Sequence, residues 1–212
     1  MIDNISLISQ SVIRIKSNDN KIIYFDPFNI EKEDNDADYI FITHPHYDHF
    51  SKKDIIKIKK ENTKIVIPTE LKSEVKELGF ASDNIITVIP NNNYMIDNIN
   101  FSTIPAYNKL KPFHRKKSNW IGYIVTIDNT KIYIAGDTDD TKEAREVICD
   151  IAFIPIGGTY TMNYKEAVDL IKTIKPQLAI PTHYQTIVGS TKDAYKFKEL
   201  LEGIVEVKIL ME

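Results

Sequence analysis

Three of the chain's five histidines and one aspartate fall within the six residues His44-Pro45-His46-Tyr47-Asp48-His49. Imidazole nitrogen and carboxylate oxygen are the ligands that zinc and its first-row neighbours take from proteins. The His-x-His-x-Asp-His spacing points to a metal site rather than a histidine-rich surface tract. His44 and His46 are two residues apart, so in an extended chain their imidazoles project the same way. Asp48 and His49 follow the turn and can face a second ion beside the first. Two further candidates stand far along the chain, Asp137 after Gly136 and His183 after Thr182. Alone, the first reads as a turn aspartate and the second as a buried core histidine. Beside the cluster both read as ligands, with Asp137 able to bridge two ions.

The elements that must hold these groups are short apolar runs. Residues 39–43 lead straight into His44, 131–135 into Gly136-Asp137, and 178–181 into Thr182-His183. Three strands each ending at a ligand would gather them on one rim of a sheet assembly, where rigid backbone fixes them accurately. Further strands are expected at 5–8, 12–15, 22–25, 64–67, 85–89, 100–104, 120–127, 151–156 and 205–209, and helices at 51–60, 70–78, 164–174 and 192–201. Ser51 with Asp54 resembles a capping box. The acidic stretch 31–38 lacks EF-hand spacing and reads as a solvated loop. Strands with interspersed helices suggest two sheets carrying helices on their outer faces, in a single domain over residues 1–212.

Composition narrows the function classes. With 212 residues, 42% hydrophobic and 27% charged, the chain has enough apolar surface for a core. A net charge of -3 argues for neither nucleic acid nor membrane as the partner, and a small-molecule substrate is expected. The lone Cys149 excludes an internal disulfide and a thiolate-dominated metal site. Met1 to Gln10 lacks a basic leader followed by an apolar stretch, and no apolar run suits a membrane span, so a cytoplasmic location is expected.

Thr43-His44-Pro45-His46-Tyr47-Asp48-His49, Ala135-Gly136-Asp137-Thr138 and Pro181-Thr182-His183-Tyr184 occur in the order and separation of the metallo-β-lactamase-fold hydrolase superfamily, which the chain resembles over nearly its whole length. The resemblance implies an α+β fold, a four-layer αββα sandwich with a dinuclear metal site at one edge. It assigns His44, His46 and bridging Asp137 to a first metal, and Asp48, His49, Asp137 and His183 to a second. The superfamily's middle histidine is absent. The strand concerned leads into Ile104-Pro105-Ala106-Tyr107-Asn108 instead, so His114, Asn108 or water would complete the first site. The stretches 106–114, 119–123 and 157–162 look like a subgroup of small stand-alone prokaryotic members, whose better-characterised relatives include sugar-phosphate lactonases.

The chemistry so implied is hydrolysis of an ester, lactone or phosphodiester by a hydroxide held on one or two divalent ions. Zinc is the first candidate, with manganese, iron or nickel as alternatives. Asp48 would orient the nucleophile or take its proton, and Tyr107 or Tyr160 would protonate the leaving group. Asn108, Lys109 and Tyr184 are candidate substrate contacts. Lys109, Lys111, Arg115, Lys116 and Lys117, with no acid among them, could draw in an anionic substrate. Two other classes stay open: a metal-binding scaffold without catalysis, and a flavodiiron-type redox protein, against which His46 stands where that type carries glutamate.

Overall fold

A computed structural model describes residues 4–211. Residues 1–3, the start of the stretch read for a leader, and residue 212 lie outside the described residues. The chain forms two compact units, Met1–Ile89 and Pro90–Glu212.

The first unit is built on a six-stranded sheet in sequence order: β1 (Ile5–Leu7), β2 (Ile13–Lys16), β3 (Ile22–Phe25), β4 (Ala37–Phe41), β5 (Lys59–Pro68) and β6 (Ile85–Val88). Strands β1 to β3 pair antiparallel, and β3 to β6 pair parallel. Parallel neighbours cannot be joined by a hairpin, so α1 (Lys52–Ile58) connects β4 to β5 and α2 (Lys72–Glu77) lies between β5 and β6. All four residues of β3 and most of β4 are buried, which is why both read as near-continuous apolar runs. Because β3 and β4 run in parallel, the segments that follow them, Asp26 and residues 42–49, leave the sheet from the same rim. Carboxyl ends of parallel strands are where such sheets place their ligand groups.

Two details differ from expectation. Helix α1 stops at Ile58, because Lys59 is already extended and Lys60 donates its N–H to Thr63 Oγ1 within β5. Ser51 makes no backbone cap; its hydroxyl donates to Asp54 Oδ2 at 2.6 Å. The fully buried Asp54 serves a different purpose, accepting the N–H groups of Asn29 (3.0 Å) and Ile30 (3.2 Å) and an ion pair from Lys57 (3.1 Å). The acidic loop is exposed over residues 31–35 and pinned at its end. There Asp36 pairs with Arg14 at 2.6 Å, and Asp38 with Lys60 at 2.9 Å.

The second unit carries seven strands: β7 (Asn93–Ile96), β8 (Ile99–Pro105), β9 (Ile121–Ile127), β10 (Thr130–Ile134), β11 (Ile151–Pro155), β12 (Leu178–Thr182) and β13 (Glu206–Val207), in spatial order β13-β12-β11-β10-β9-β8-β7. Pairs from β7 to β10 are antiparallel and those from β10 to β13 parallel. Both β8 and β10 run against β9, so β8, β10, β11 and β12 all end on one rim. Helix α3 (Lys142–Arg145) lies between β10 and β11, α4 (Tyr164–Ile174) between β11 and β12, and α5 (Thr191–Leu200) between β12 and β13. Asn163 and Glu166 form a full capping box at the start of α4. Its Ala167, Val168, Leu170 and Ile171 pack with Ile154, Ala179 and Phe197 into the unit's core. Edge strand β7 and the one-turn α3 were not expected. The first is half exposed and carries no clean alternation, and four residues are too few to display a helical period. Among the described residues, no helix is long and apolar enough to cross a membrane.

Burial alone would raise the Asp54 carboxyl, but hydrogen bonds from Ser51, Lys57 and the Asn29 N–H outweigh it and hold its pKa below the ordinary value. A depressed carboxylate contributes stability that is present above its unfolded pKa, near 4, and is lost as pH falls through the lower folded value. Asp54→Asn should therefore cost about 1–3 kcal/mol at pH 7. Urea denaturation should show that deficit shrinking at about pH 3. An equal deficit at both pH values would contradict the assignment.

Candidate metal centre

In the first unit the site is organised by an aspartate that the motif does not contain. Asp26 follows β3 directly, with φ +47°, and is 1% exposed. Its Oδ1 accepts the Thr43 N–H at 2.8 Å. Its Oδ2 accepts the Thr43 hydroxyl at 2.7 Å and meets His49 Nδ1 at 2.7 Å. An ionised carboxylate only accepts, so His49 carries its proton on Nδ1 and offers a lone pair at Nε2. The Thr43 hydroxyl proton is committed to Asp26, which leaves its oxygen to accept from His44 Nδ1 at 2.9 Å. His44 is thereby set in the same tautomer. One buried carboxylate fixes two imidazoles, the usual device for orienting metal-ligating histidines.

The geometry of the donors fits a cation. His44 Nε2 and His46 Nδ1 lie 3.1 Å apart, with rings 4.7 Å apart and nearly perpendicular. Two nitrogens at 2.0–2.1 Å from one tetrahedral zinc would stand about 3.3 Å apart. The loop that presents them is closed by the N–H groups of His49 and Phe50, both donating to the His46 carbonyl. Asp48, 7% exposed, lies 3.5 Å from His49 Nε2 through Oδ2. The same Oδ2 accepts from Gln10 Nε2 at 3.4 Å.

In the second unit Asp137 follows β10 through Gly136, whose φ of +63° makes the turn. Asp137 Oδ2 lies 3.2 Å from His114 Nε2 and 3.1 Å from His183 Nε2. His114 Nδ1 meets Asn108 Oδ1 at 3.1 Å, and that oxygen also accepts the His114 N–H at 3.0 Å. An amide oxygen can only accept, so His114 also turns a Nε2 lone pair toward the aspartate. A carboxylate oxygen facing an imidazole lone pair at 3.2 Å calls for a proton or a cation between them. Asp137 Oδ2 thus lies within reach of two imidazole nitrogens, one of them presenting a lone pair.

His114 is held in place from the loop that follows β8. Asn108 keeps it there, being tied by its own Nδ2 to Asp139 Oδ1 (3.1 Å) and the Tyr160 carbonyl (2.9 Å). His114 is 1% exposed and sits edge-on to Trp120. His183, with φ +55°, caps the end of β12 against Gly157. A Cβ on Gly157 would fall 2.3 Å from the His183 carbonyl oxygen and 2.6 Å from Val188 Cγ2, so only glycine fits there.

Several expected roles change. Asn108 is buried and saturated by its hydrogen bonds, which makes it a support for His114 rather than a substrate contact. Tyr184 is fully buried and its hydroxyl donates to the Met211 carbonyl at 2.6 Å, so it belongs to the core and not to a substrate surface. Tyr107 donates to Glu143 Oε2 at 2.8 Å, with Lys116 4.7 Å above its ring. Burial first, and Glu143 second, raise its pKa against the pull of Lys116. The Tyr160 ring packs edge-on against Phe113. Of the five cations in the 109–117 stretch, Lys111 pairs with Asp139 and Lys116 with Glu143, each at 2.7 Å. Lys109, Arg115 and Lys117 are exposed. Reasoning from sequence missed Asp26, Gln10, Asp139 and Gly157. Asp26 had a usable signal, an aspartate straight after an apolar strand, the same pattern that marked Asp137.

A family profile described as a beta-lactamase superfamily domain matches residues 4–183. A Thermococcus onnurineus protein described as a UPF0173 metal-dependent hydrolase is 32% identical over 204 residues, 90% of this chain and 89% of that one. The crystal structure of a candidate metal-dependent hydrolase from Parabacteroides distasonis matches with a TM-score of 0.80 and 28% identity, covering 98% of this chain and 93% of that one. A metallo hydrolase from Ignicoccus hospitalis gives the same TM-score at 23% identity over 98% and 94% of the two chains, a likeness of fold. The mixed α/β fold with two sheets is that of the metallo-β-lactamases.

Asp26→Ala removes the acceptor of both Thr43 and His49, and should lower zinc affinity by about 10- to 100-fold. Gly157→Ala must displace His183 and should weaken zinc by a similar factor, again about 10- to 100-fold. Calorimetric zinc titration checks both, with a thermal melt to verify folding. Wild-type affinity in either folded variant would refute the corresponding contact.

Proposed function

As a member of the β-lactamase superfamily and of its UPF0173 metal-dependent hydrolases, the chain is a metal-dependent hydrolase, and we propose that it cleaves an ester, lactone or phosphodiester bond in a small anionic substrate. We propose that its two units act as one domain in the cytoplasm, with two zinc ions as cofactor. His44, His46, His114 and Asp137 would hold one ion, and Asp48, His49 and His183 would hold the other. The observation that carries this reading is the single Asp137 oxygen lying 3.1–3.2 Å from two imidazole nitrogens. All-nitrogen and oxygen donors, with the only cysteine buried and elsewhere in the core, suit zinc or a harder divalent ion.

Divalent ions there supply Lewis acidity and bring the ionisation of water toward neutral pH. The chain's own groups do the rest. Asp48, itself one of the donors to the second ion, would also be the acceptor for the proton of the attacking water. Asp26, through Thr43 and His49, keeps imidazole lone pairs aimed inward, so little reorganisation accompanies the chemistry. The leaving group needs a proton, and Tyr160 is the better donor because the Tyr107 proton is committed to Glu143. Lys109, Arg115 and Lys117 supply the positive field for an anion, since Lys111 and Lys116 are neutralised by Asp139 and Glu143.

Elemental analysis of the purified protein, followed by assays on bis-p-nitrophenyl phosphate, simple lactones and phosphorylated lactones, tests the proposal. His44→Ala and Asp137→Ala should each remove metal and turnover while a melt shows the fold retained. Metal without turnover on any of these substrates would favour a non-catalytic scaffold, and bound iron with electron transfer would favour a redox protein. Lys109→Ala with Lys117→Ala should raise KM for anionic substrates about 3- to 10-fold at low salt, and less at high salt. An equal rise for neutral substrates would contradict the electrostatic role.

A further inference from the structure

Gln10 combines three unfavourable features in one residue that touches the site. It lies in the turn between β1 and β2 and is 0% exposed. Its φ is +38°, a left-handed conformation that a residue with a side chain rarely adopts. Its amide oxygen Oε1 is buried with no hydrogen-bond partner among the described residues. Strained backbone and unsatisfied buried polar groups are retained where function demands them, and are otherwise replaced at low cost by apolar residues. The Gln10 amide Nε2–H donates to Asp48 Oδ2 at 3.4 Å. That distance is long for N–H···O, the slack common in sites whose hydrogen bonds tighten once occupied.

We propose that Gln10 is a positioning residue for Asp48. This rests on the reading of Asp48 as a ligand and proton acceptor given above. The amide N–H directs one lone pair of Oδ2, which limits how the carboxylate can rotate and leaves its remaining acceptor sites for the cation and the water. Orientation by chemistry requires Gln10 to present its donor to an ionised carboxylate, which fixes the amide flip and sends Oε1 the opposite way. Oε1 is then left without a donor among the described residues, a cost that the orientation of Asp48 offsets. A hydrophobic residue of the same size would fold at least as well and position nothing.

The discriminating variant is therefore Gln10→Leu, compared with Gln10→Glu and with Asp48→Ala. Zinc titration followed by calorimetry, on metal-free protein of each, gives the binding steps; thermal melts of the same samples give stability. The step lost in Asp48→Ala should weaken about 10- to 100-fold in Gln10→Leu, the other step should hold, and the metal-free melting temperature should be unchanged or higher. Gln10→Glu, which sets a second carboxylate against Asp48, should weaken the same step. In turnover, Gln10→Leu should lower kcat more than it raises KM. Wild-type zinc affinity in Gln10→Leu, or a lower melting temperature with both binding steps intact, would overturn the inference and leave the metal reading standing. Wild-type protein that binds no zinc would overturn both.

Discussion

The demand for positive charge around Asp137 shapes the site. Asp137 Oδ2, in a residue 3% exposed, lies 3.1 and 3.2 Å from two imidazole nitrogens, and each approach calls for a proton or a cation. Protons on both histidines would satisfy it, but Asn108 already takes the His114 proton on the far side of the ring. A divalent cation would satisfy it without further protonation. The supporting hydrogen bonds are arranged for that outcome: Asp26 and Thr43 turn His49 and His44, and Asn108 turns His114, each with Nδ1 outward and Nε2 inward.

Sheet topology makes this affordable for the backbone. In the first unit parallel β3 and β4 deliver Asp26 and the histidine cluster to one rim. In the second, two successive antiparallel pairings return β10 to the direction of β8, and parallel β11 and β12 follow, so the segments bearing His114, Asp137, Gly157 and His183 leave from one rim too. The helices lie between these strands and contribute apolar faces, not chemistry. Gln10, Asp26 and His183, each just past a strand, all have positive φ.

The candidate ligands stand out in the sequence because each is a chemically distinctive residue near the end of an apolar strand. That pattern survives in one dimension: a run such as Leu178–Thr182 followed by His183 needs no knowledge of partners. The supports were not legible, because their meaning lies in contacts across 17 to 38 residues, as with Asp26 to Thr43 and Gln10 to Asp48. His114 lay between the two cases. Its type was noticed, but its capture depends on Asn108, which sequence suggested as a substrate contact. Lys111 and Lys116 misled in the same way, since a run of cations does not reveal that Asp139 and Glu143 neutralise two of them. Short or half-exposed elements, β7 and α3, were lost because periodicity needs length and a buried face.

X-ray absorption at the zinc edge of zinc-loaded protein tests the central claim most directly. The account predicts a first shell of nitrogen and oxygen at about 2.0–2.1 Å with imidazole scattering beyond it. It also predicts a metal–metal vector at about 3.5–4 Å. A sulfur shell, or zinc surrounded by water oxygens alone, would contradict it.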